Sequence, residues 1–244
     1  MRTVPSVRLF CFPYAGASAA VYLPWTDALG PAVVVTPVEL PGRGRHPRAR
    51  PCRRMGEVLD EVLPYVARMG DRPFALYGHG FGALLAYEVA ARLEWEHDAV
   101  AERLYVSGRG APRLRDGAAR RGGPPGAEPR RAAGRDRSPA GTARGPRPGV
   151  LPPVLRADLA VAESYVRDPR HVVHCPVTAM AGRDDRSVTA AGLAAWRGCT
   201  RRSLRVDVFP GGNDFPRTAA REVLAAFSRD LLHPAPGRAA PTAR

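Results

Sequence analysis

The chain has 244 residues, 45% of them hydrophobic, which is enough for one sizeable core and too little for two comfortable domains. Its formal charge of +14 comes from arginine alone, since lysine is absent, and this reads as a mark of GC-rich coding rather than of a nucleic-acid partner. Four cysteines, at 11, 52, 175 and 199, show neither a C-x-x-C spacing nor a cluster with histidine, so no metal site and no disulfide framework is expected.

Val7 to Phe12 reads as a first buried strand, and Pro13-Tyr14-Ala15-Gly16-Ala17-Ser18 as a loop of small residues before a helix through Tyr22, Trp25 and Leu29. The apolar start is interrupted by Arg8 and by prolines at 5 and 13 and is too short to span a membrane, so a soluble, cytoplasmic protein is expected. A second strand, Val33 to Val38, leads into Glu39-Leu40-Pro41-Gly42-Arg43-Gly44-Arg45, a loop rich in turn residues. Arg43 and Arg45 have two equal readings: they face an acidic partner, or they only bracket a glycine turn. The stretch 55–68 places Val58, Leu59, Val62 and Val66 on one helical face.

Residues 74–89 are the centre of the pattern: a short apolar run breaks on glycines 78, 80 and 82 and becomes an amphipathic helix. A strand, a tight turn and a helix whose first N–H groups lack intrahelical partners make an anion site. The spacing fits a G-x-S-x-G nucleophile elbow with Gly80 in the serine position, and it also fits a G-x-G-x-x-A dinucleotide fingerprint at Gly78, Gly80 and Ala83. The next strand, 104–107, runs into Gly108 and Arg109 without the acid such a fingerprint wants.

Residues 113–149 then carry ten arginines, three acids, one leucine and no aromatic residue. That composition cannot bury enough apolar surface to order itself, and it is what GC-rich DNA yields when read out of frame. Without aromatic platforms it does not read as a nucleic-acid binder. The pattern resumes with a helix over 151–165, a strand over 176–181, a helix over 190–197, a strand over 204–209, a last helix over 221–232 and a loose tail over 233–244. Alternating strands and helices predict an α/β fold, a mostly parallel sheet covered on both faces. The site should lie beyond the carboxyl ends of the strands, where the loops at 14–18, 42–44 and 78–82 meet.

Five stretches in order resemble a known family. Phe10-Cys11-Phe12-Pro13-Tyr14-Ala15-Gly16, Leu40-Pro41-Gly42-Arg43-Gly44, Tyr77-Gly78-His79 with Gly82 to Glu88, Val106-Ser107-Gly108 and Phe209-Pro210-Gly211-Gly212 are similar to the type II, editing thioesterases of polyketide and nonribosomal peptide synthesis. The resemblance implies an α/β-hydrolase fold over 1–232, with a lid insertion at about 109–165, acting as a monomer on acyl groups of carrier-protein phosphopantetheine arms without cofactor, metal or membrane. It also implies a serine, acid, histidine triad. Gly182-Arg183-Asp184-Asp185-Arg186-Ser187-Val188 places Asp185 as the acid, with Asp184 as its neighbour, while the nucleophile position is Gly80 and the histidine position Asn213. The oxyanion hole is expected from the N–H of Phe81 and one from Tyr14 or Ala15. The alternative to hydrolysis is a thioesterase-like binding protein that has lost the triad; Gly80 and Asn213 are each one base from serine and histidine. His79 and Cys11 read as a packing histidine and a core thiol rather than substitutes.

Overall fold

A computed structural model describes residues 6–69, 72–112 and 151–232. The expectations for 113–149 and for the tail at 233–244 lie outside the described residues. Six parallel strands, β1 (Val7–Phe12), β2 (Val33–Pro37), β3 (Phe74–His79), β4 (Arg103–Ser107), β5 (Val177–Gly182) and β6 (Leu204–Phe209), stand in the order β2-β1-β3-β4-β5-β6. The connections turn one way from β1 to β2 and the other way from β3 onward. The switch point therefore lies between β1 and β3, where open parallel sheets place their sites.

Strand residues alternate between two cores. Phe10, Phe12, Leu76, Leu104, Val106, Val177 and Ala179 face α2 (Met55–Arg68) and α3 (Phe81–His97). Leu9, Cys11, Tyr77, Tyr105 and Met180 face a short helix α1 (Leu23–Ala28) and the last helix, with the rings of Trp25, Tyr77 and Phe227 packed at steep angles to one another. Both faces are thus apolar, as a parallel sheet requires. The remaining helices are α4 (Pro153–Ser164), α5 (Ala190–Ala194), α6 (Phe215–Thr218) and α7 (Ala220–Leu232).

Several elements differ from expectation. The first helix is two pieces, a 3₁₀ turn at Ala19–Tyr22 and then α1, because Pro24 supplies no N–H to extend a helix backward. The helix expected over 190–197 tightens after Ala194 into a 3₁₀ turn, Ala195–Cys199, that buries Trp196. Four-residue α6 is an addition to the expected elements. Most tellingly, α3 is not amphipathic: every residue from Phe81 to Ala91 is buried, because the sheet lies on one side and α2 and α4 pack on others.

Burying α3 puts a carboxylate in the interior. Glu88 accepts from His171 Nδ1 at 3.0 Å and from the Tyr165 hydroxyl, while Tyr87 donates to the His171 carbonyl and accepts from Arg167. The hydrogen bond to Glu88 raises the His171 pKa. A raised folded pKa means that this contribution is complete below the ordinary histidine value of about 6.5 and is lost as pH rises through the raised one. We expect His171→Gln to cost roughly 1 kcal/mol at pH 6, with solvent screening of the partly exposed ring. The gap in urea midpoint should narrow by pH 9; a gap independent of pH would show that the ion pair does not stabilise.

Candidate active site

The turn after β3 is built by what its glycines exclude. A Cβ on Gly78 would lie 1.9 Å from the Gly82 carbonyl oxygen, and one on Gly82 would lie 2.1 Å from that of Phe12. These two positions are closed to any side chain because β3, α3 and the end of β1 touch through bare backbone. Gly80 is different. Its backbone, at φ 55° and ψ −112°, is strained for an L-residue, yet among the described residues a Cβ there would meet only the Tyr14 Cβ, at 3.8 Å. The central position of the turn is therefore uncrowded by the described residues, and Phe81 starts the helix, with an amide that no intrahelical carbonyl can reach.

Two further loops are zipped together beside it. Arg183 and Asp184 donate their amides to the carbonyls of Phe209 and Gly211 at 2.8 and 2.9 Å, and Gly182 lacks the Cβ that would strike the Gly212 carbonyl. This brings Asn213 Nδ2 to Asp185 Oδ2 at 2.9 Å. The other Asp185 oxygen accepts from the amide and hydroxyl of Ser187 at 2.9 and 2.6 Å, which fixes the carboxylate. Asp184 is exposed and its side chain takes no part.

The network continues inward and assigns the protons. A carboxylate only accepts, so Asn213 turns its NH₂ to Asp185 and its Oδ1 to His79 Nε2, 3.3 Å away. That nitrogen must carry the proton. Nδ1 then accepts from Ser107 Oγ at 2.9 Å, and Ser107 in turn accepts from the Tyr77 hydroxyl at 3.3 Å. Burial pushes the His79 pKa below its ordinary value, which suits a neutral ring held between Tyr14 and Phe215. Gly108 is required here, since a Cβ would lie 2.3 Å from His79 Cε1. With one ring nitrogen donating to Asn213 and the other accepting from Ser107, neither is free to take a proton from a nucleophile. The packing reading of His79 holds, but the ring is also a polar link to Asn213, which spacing could not reveal.

Tyr14 and Ala15 sit in a turn closed by the Ala17 amide donating to the Tyr14 carbonyl at 3.0 Å. Gly16, at φ 80°, occupies the third position, as a type II turn demands. The turn stands at the switch point, with the Tyr14 Cβ beside Gly80. All six expected residues, Gly80, Asp185, Asn213, Tyr14, Ala15 and Phe81, thus belong to loops or helix starts at the carboxyl ends of β1, β3, β5 and β6. For Arg43 the structure decides between the two readings. It is buried in a pair with Asp158, so it faces no external partner, whereas Arg45 is exposed.

Comparison with known proteins gives this arrangement a context. A family model described as the thioesterase domain matches residues 7–231. The chain belongs to the thioesterase family. PikA5, a thioesterase of Streptomyces venezuelae, is 34% identical, with 98% of this chain and 85% of the relative aligned. The gramicidin S biosynthesis protein GrsT of Aneurinibacillus migulanus is 29% identical over 95% and 91% of the two chains. The thioesterase RedJ of the prodiginine pathway in Streptomyces coelicolor superposes with a TM-score of 0.72 at 34% identity, covering 91% and 84%. Similar solved structures include the type II thioesterase BorB of the borrelidin biosynthetic cluster and YbtT, a type II thioesterase of the yersiniabactin NRPS/PKS pathway, and the fold is the α/β-hydrolase fold of thioesterases. A thioesterase is a hydrolase, and the fingerprint reading of Gly78, Gly80 and Ala83 gives way to that family. Among the described residues no helix is long and apolar enough to cross a membrane.

Proposed function

We propose that this thioesterase site receives acyl thioesters carried on the phosphopantetheine arm of a synthase carrier protein, in polyketide or nonribosomal peptide biosynthesis. In such a reaction an oxygen nucleophile bonds to the thioester carbon, the C=O electron pair moves onto oxygen, and collapse breaks the C–S bond as the thiol takes a proton. The roles fall to Gly80 as the nucleophile position, Asn213 as the base position and Asp185 as the orienting acid. The N–H of Phe81 and one from the Tyr14 to Ala15 turn form the oxyanion hole. The observation that carries the reading is Asn213 held 2.9 Å from Asp185, in a site whose central turn position is open to a side chain.

Gly80 offers no hydroxyl and the Asn213 amide accepts no proton, so the chain as it stands keeps the turn and its oxyanion donors without the attacking pair. We expect it to bind acyl carrier protein with an affinity that falls with salt. Arg45, Arg48, Arg50, Arg53 and Arg54 are all exposed along the connection between β2 and α2, and a carrier protein is acidic. Hydrolysis should stay on the order of 10⁶-fold below that of a complete triad, with no more than the roughly 10³ to 10⁴ over water that oxyanion donors and binding supply. The check is fluorescence anisotropy with a labelled acyl carrier protein at low and high ionic strength, beside thiol release. No binding, or binding indifferent to salt, would overturn the partner assignment; rapid thiol release would overturn the assignment of Gly80 and Asn213.

A further inference from the structure

The loop that would supply one oxyanion donor is held by charged side chains from two distant segments. The Gly16 amide donates to Asp158 Oδ2 at 2.8 Å, the Ala17 carbonyl accepts from Arg43 Nη1 at 3.1 Å, and the Ala19 amide donates to Glu39 Oε1 at 3.0 Å. Arg43 and Asp158 meet face to face, Nη1 to Oδ2 and Nη2 to Oδ1 both at 2.6 Å, with side chains 7% and 4% exposed. The stretch Glu39 to Gly44 is therefore more than a turn. Its acid and its arginine both grip the loop after β1, and a Cβ on Gly44 would stand 1.8 Å from the Glu39 carboxylate.

Helix α4 completes the grip from the other side. Asp158 and Leu155 lie three residues apart on one helical face. Leu155 Cβ and Cδ1 fill the space over Gly16, 3.2 Å from where a side chain would begin. Seating α4 and ordering the loop are one event: if α4 moves away, the Gly16 amide loses its acceptor and Arg43 is left buried without its carboxylate.

We propose that Glu39, Arg43 and Asp158 are positioning residues that hold the loop of Tyr14 to Ala19 against the elbow, coupling the seat of α4 to the oxyanion donor. The inference rests on the thioesterase reading of that site. A buried pair that served only general stability would act on the whole molecule, whereas this one acts on a single loop.

Hydrogen exchange on the whole protein tests the coupling without any turnover. In Asp158→Ala, amides of 16–19 should exchange about ten-fold faster or more, while those of β3 and of α3 beyond its first turn keep their rates. Should that variant fail to fold, Arg43→Met combined with Asp158→Leu replaces the pair by apolar bulk, a change that buried pairs commonly tolerate. It should loosen the same four residues. Unchanged exchange at 16–19 in a folded variant, or acceleration spread evenly over the sheet, overturns the proposal. A second arm adds Asp158→Ala to a protein carrying Gly80→Ser and Asn213→His. There kcat should fall on the order of 10-fold to 100-fold with KM little changed, short of the loss of a whole oxyanion donor. A rise in KM alone overturns the positioning role. If that background proves inactive, the thioesterase reading fails by itself, and the exchange result still decides the clamp.

Discussion

Gly80→Ser together with Asn213→His is expected to hydrolyse short acyl thioesters on the order of 10³-fold faster than either single variant. The expectation follows from how a nucleophile and its base act as one unit. In subtilisin, the worked case for such losses, removing either serine or histidine alone costs about 10⁶ in kcat, while oxyanion donors and binding keep roughly 10³ to 10⁴ over water. A hydroxyl at 80 without a base, or an imidazole at 213 without a hydroxyl, should therefore change little. The local geometry admits both changes. A Cβ at Gly80 meets none of the described residues nearer than 3.8 Å, and position 213 already holds a donor to Asp185 at 2.9 Å. A serine at φ 55° costs about 1–3 kcal/mol of strain, a cost a folded domain can bear. Histidine at 213 would donate from one ring nitrogen to Asp185 and turn the other toward the hydroxyl introduced at position 80, replacing the amide that now binds His79. Adding Asp185→Asn should lower the rate again by on the order of 10³ or more, because an amide favours the wrong tautomer. The measurement is thiol release from acyl-pantetheine by the parent, the two single variants, the double and the triple, after circular dichroism has shown each folded. A folded double variant no faster than the parent would mean that the triad is misplaced.

Much of the frame behind that prediction was legible before any coordinates. The bounds of β1, α2 and β6 follow from local signals: an uninterrupted apolar run, a 3.6-residue stripe, an alternating segment between turns. The site was legible for a different reason. Gly78, Gly80 and Gly82 report the shape of a turn, whereas Asp185 and Asn213 were named together only through the resemblance to thioesterases, and the structure holds them in contact though 28 residues apart. What failed was whatever depends on a partner far along the chain. Arg43 stayed open between an acidic partner and a glycine turn because its carboxylate is 115 residues away, and nothing local singles out Glu88, whose partners, His171 and Tyr165, come from a later loop. Helix α3 was misread for a related reason. Its alanines and its one glycine carry no strong preference for one side, so periodicity could not tell a helix covered on several sides from one half in water.

The largest loss of stability is expected at the glycines that flank the elbow, not at its centre. In Gly78→Ala the new methyl would stand 1.9 Å from the Gly82 carbonyl oxygen and 2.6 Å from the Ala83 nitrogen, and in Gly82→Ala 2.1 Å from the Phe12 carbonyl oxygen. These obstacles are main chain, so no rotamer change relieves them. Helix α3 would have to move off β3 or β1, and it carries Leu84, Leu85, Tyr87 and Val89, all fully buried. Overpacking against rigid backbone at the centre of a core belongs to the severe tail of single substitutions, roughly 4 kcal/mol or more out of a total of about 5–15. That corresponds to a fall in Tm on the order of 10 °C, or to no folded protein at all. Gly80→Ala supplies the internal contrast, since its methyl would have room and the only cost is the positive φ, about 1–3 kcal/mol. Thermal melts of the three variants decide the matter. If Gly78→Ala or Gly82→Ala melted within a degree or two of the parent, the close approach of β1, β3 and α3 would be wrong, and the elbow with it. The expected order, with the flanking positions intolerant and the central one permissive, is what a turn needs if its middle residue is to project a side chain while its neighbours let helix and strand touch.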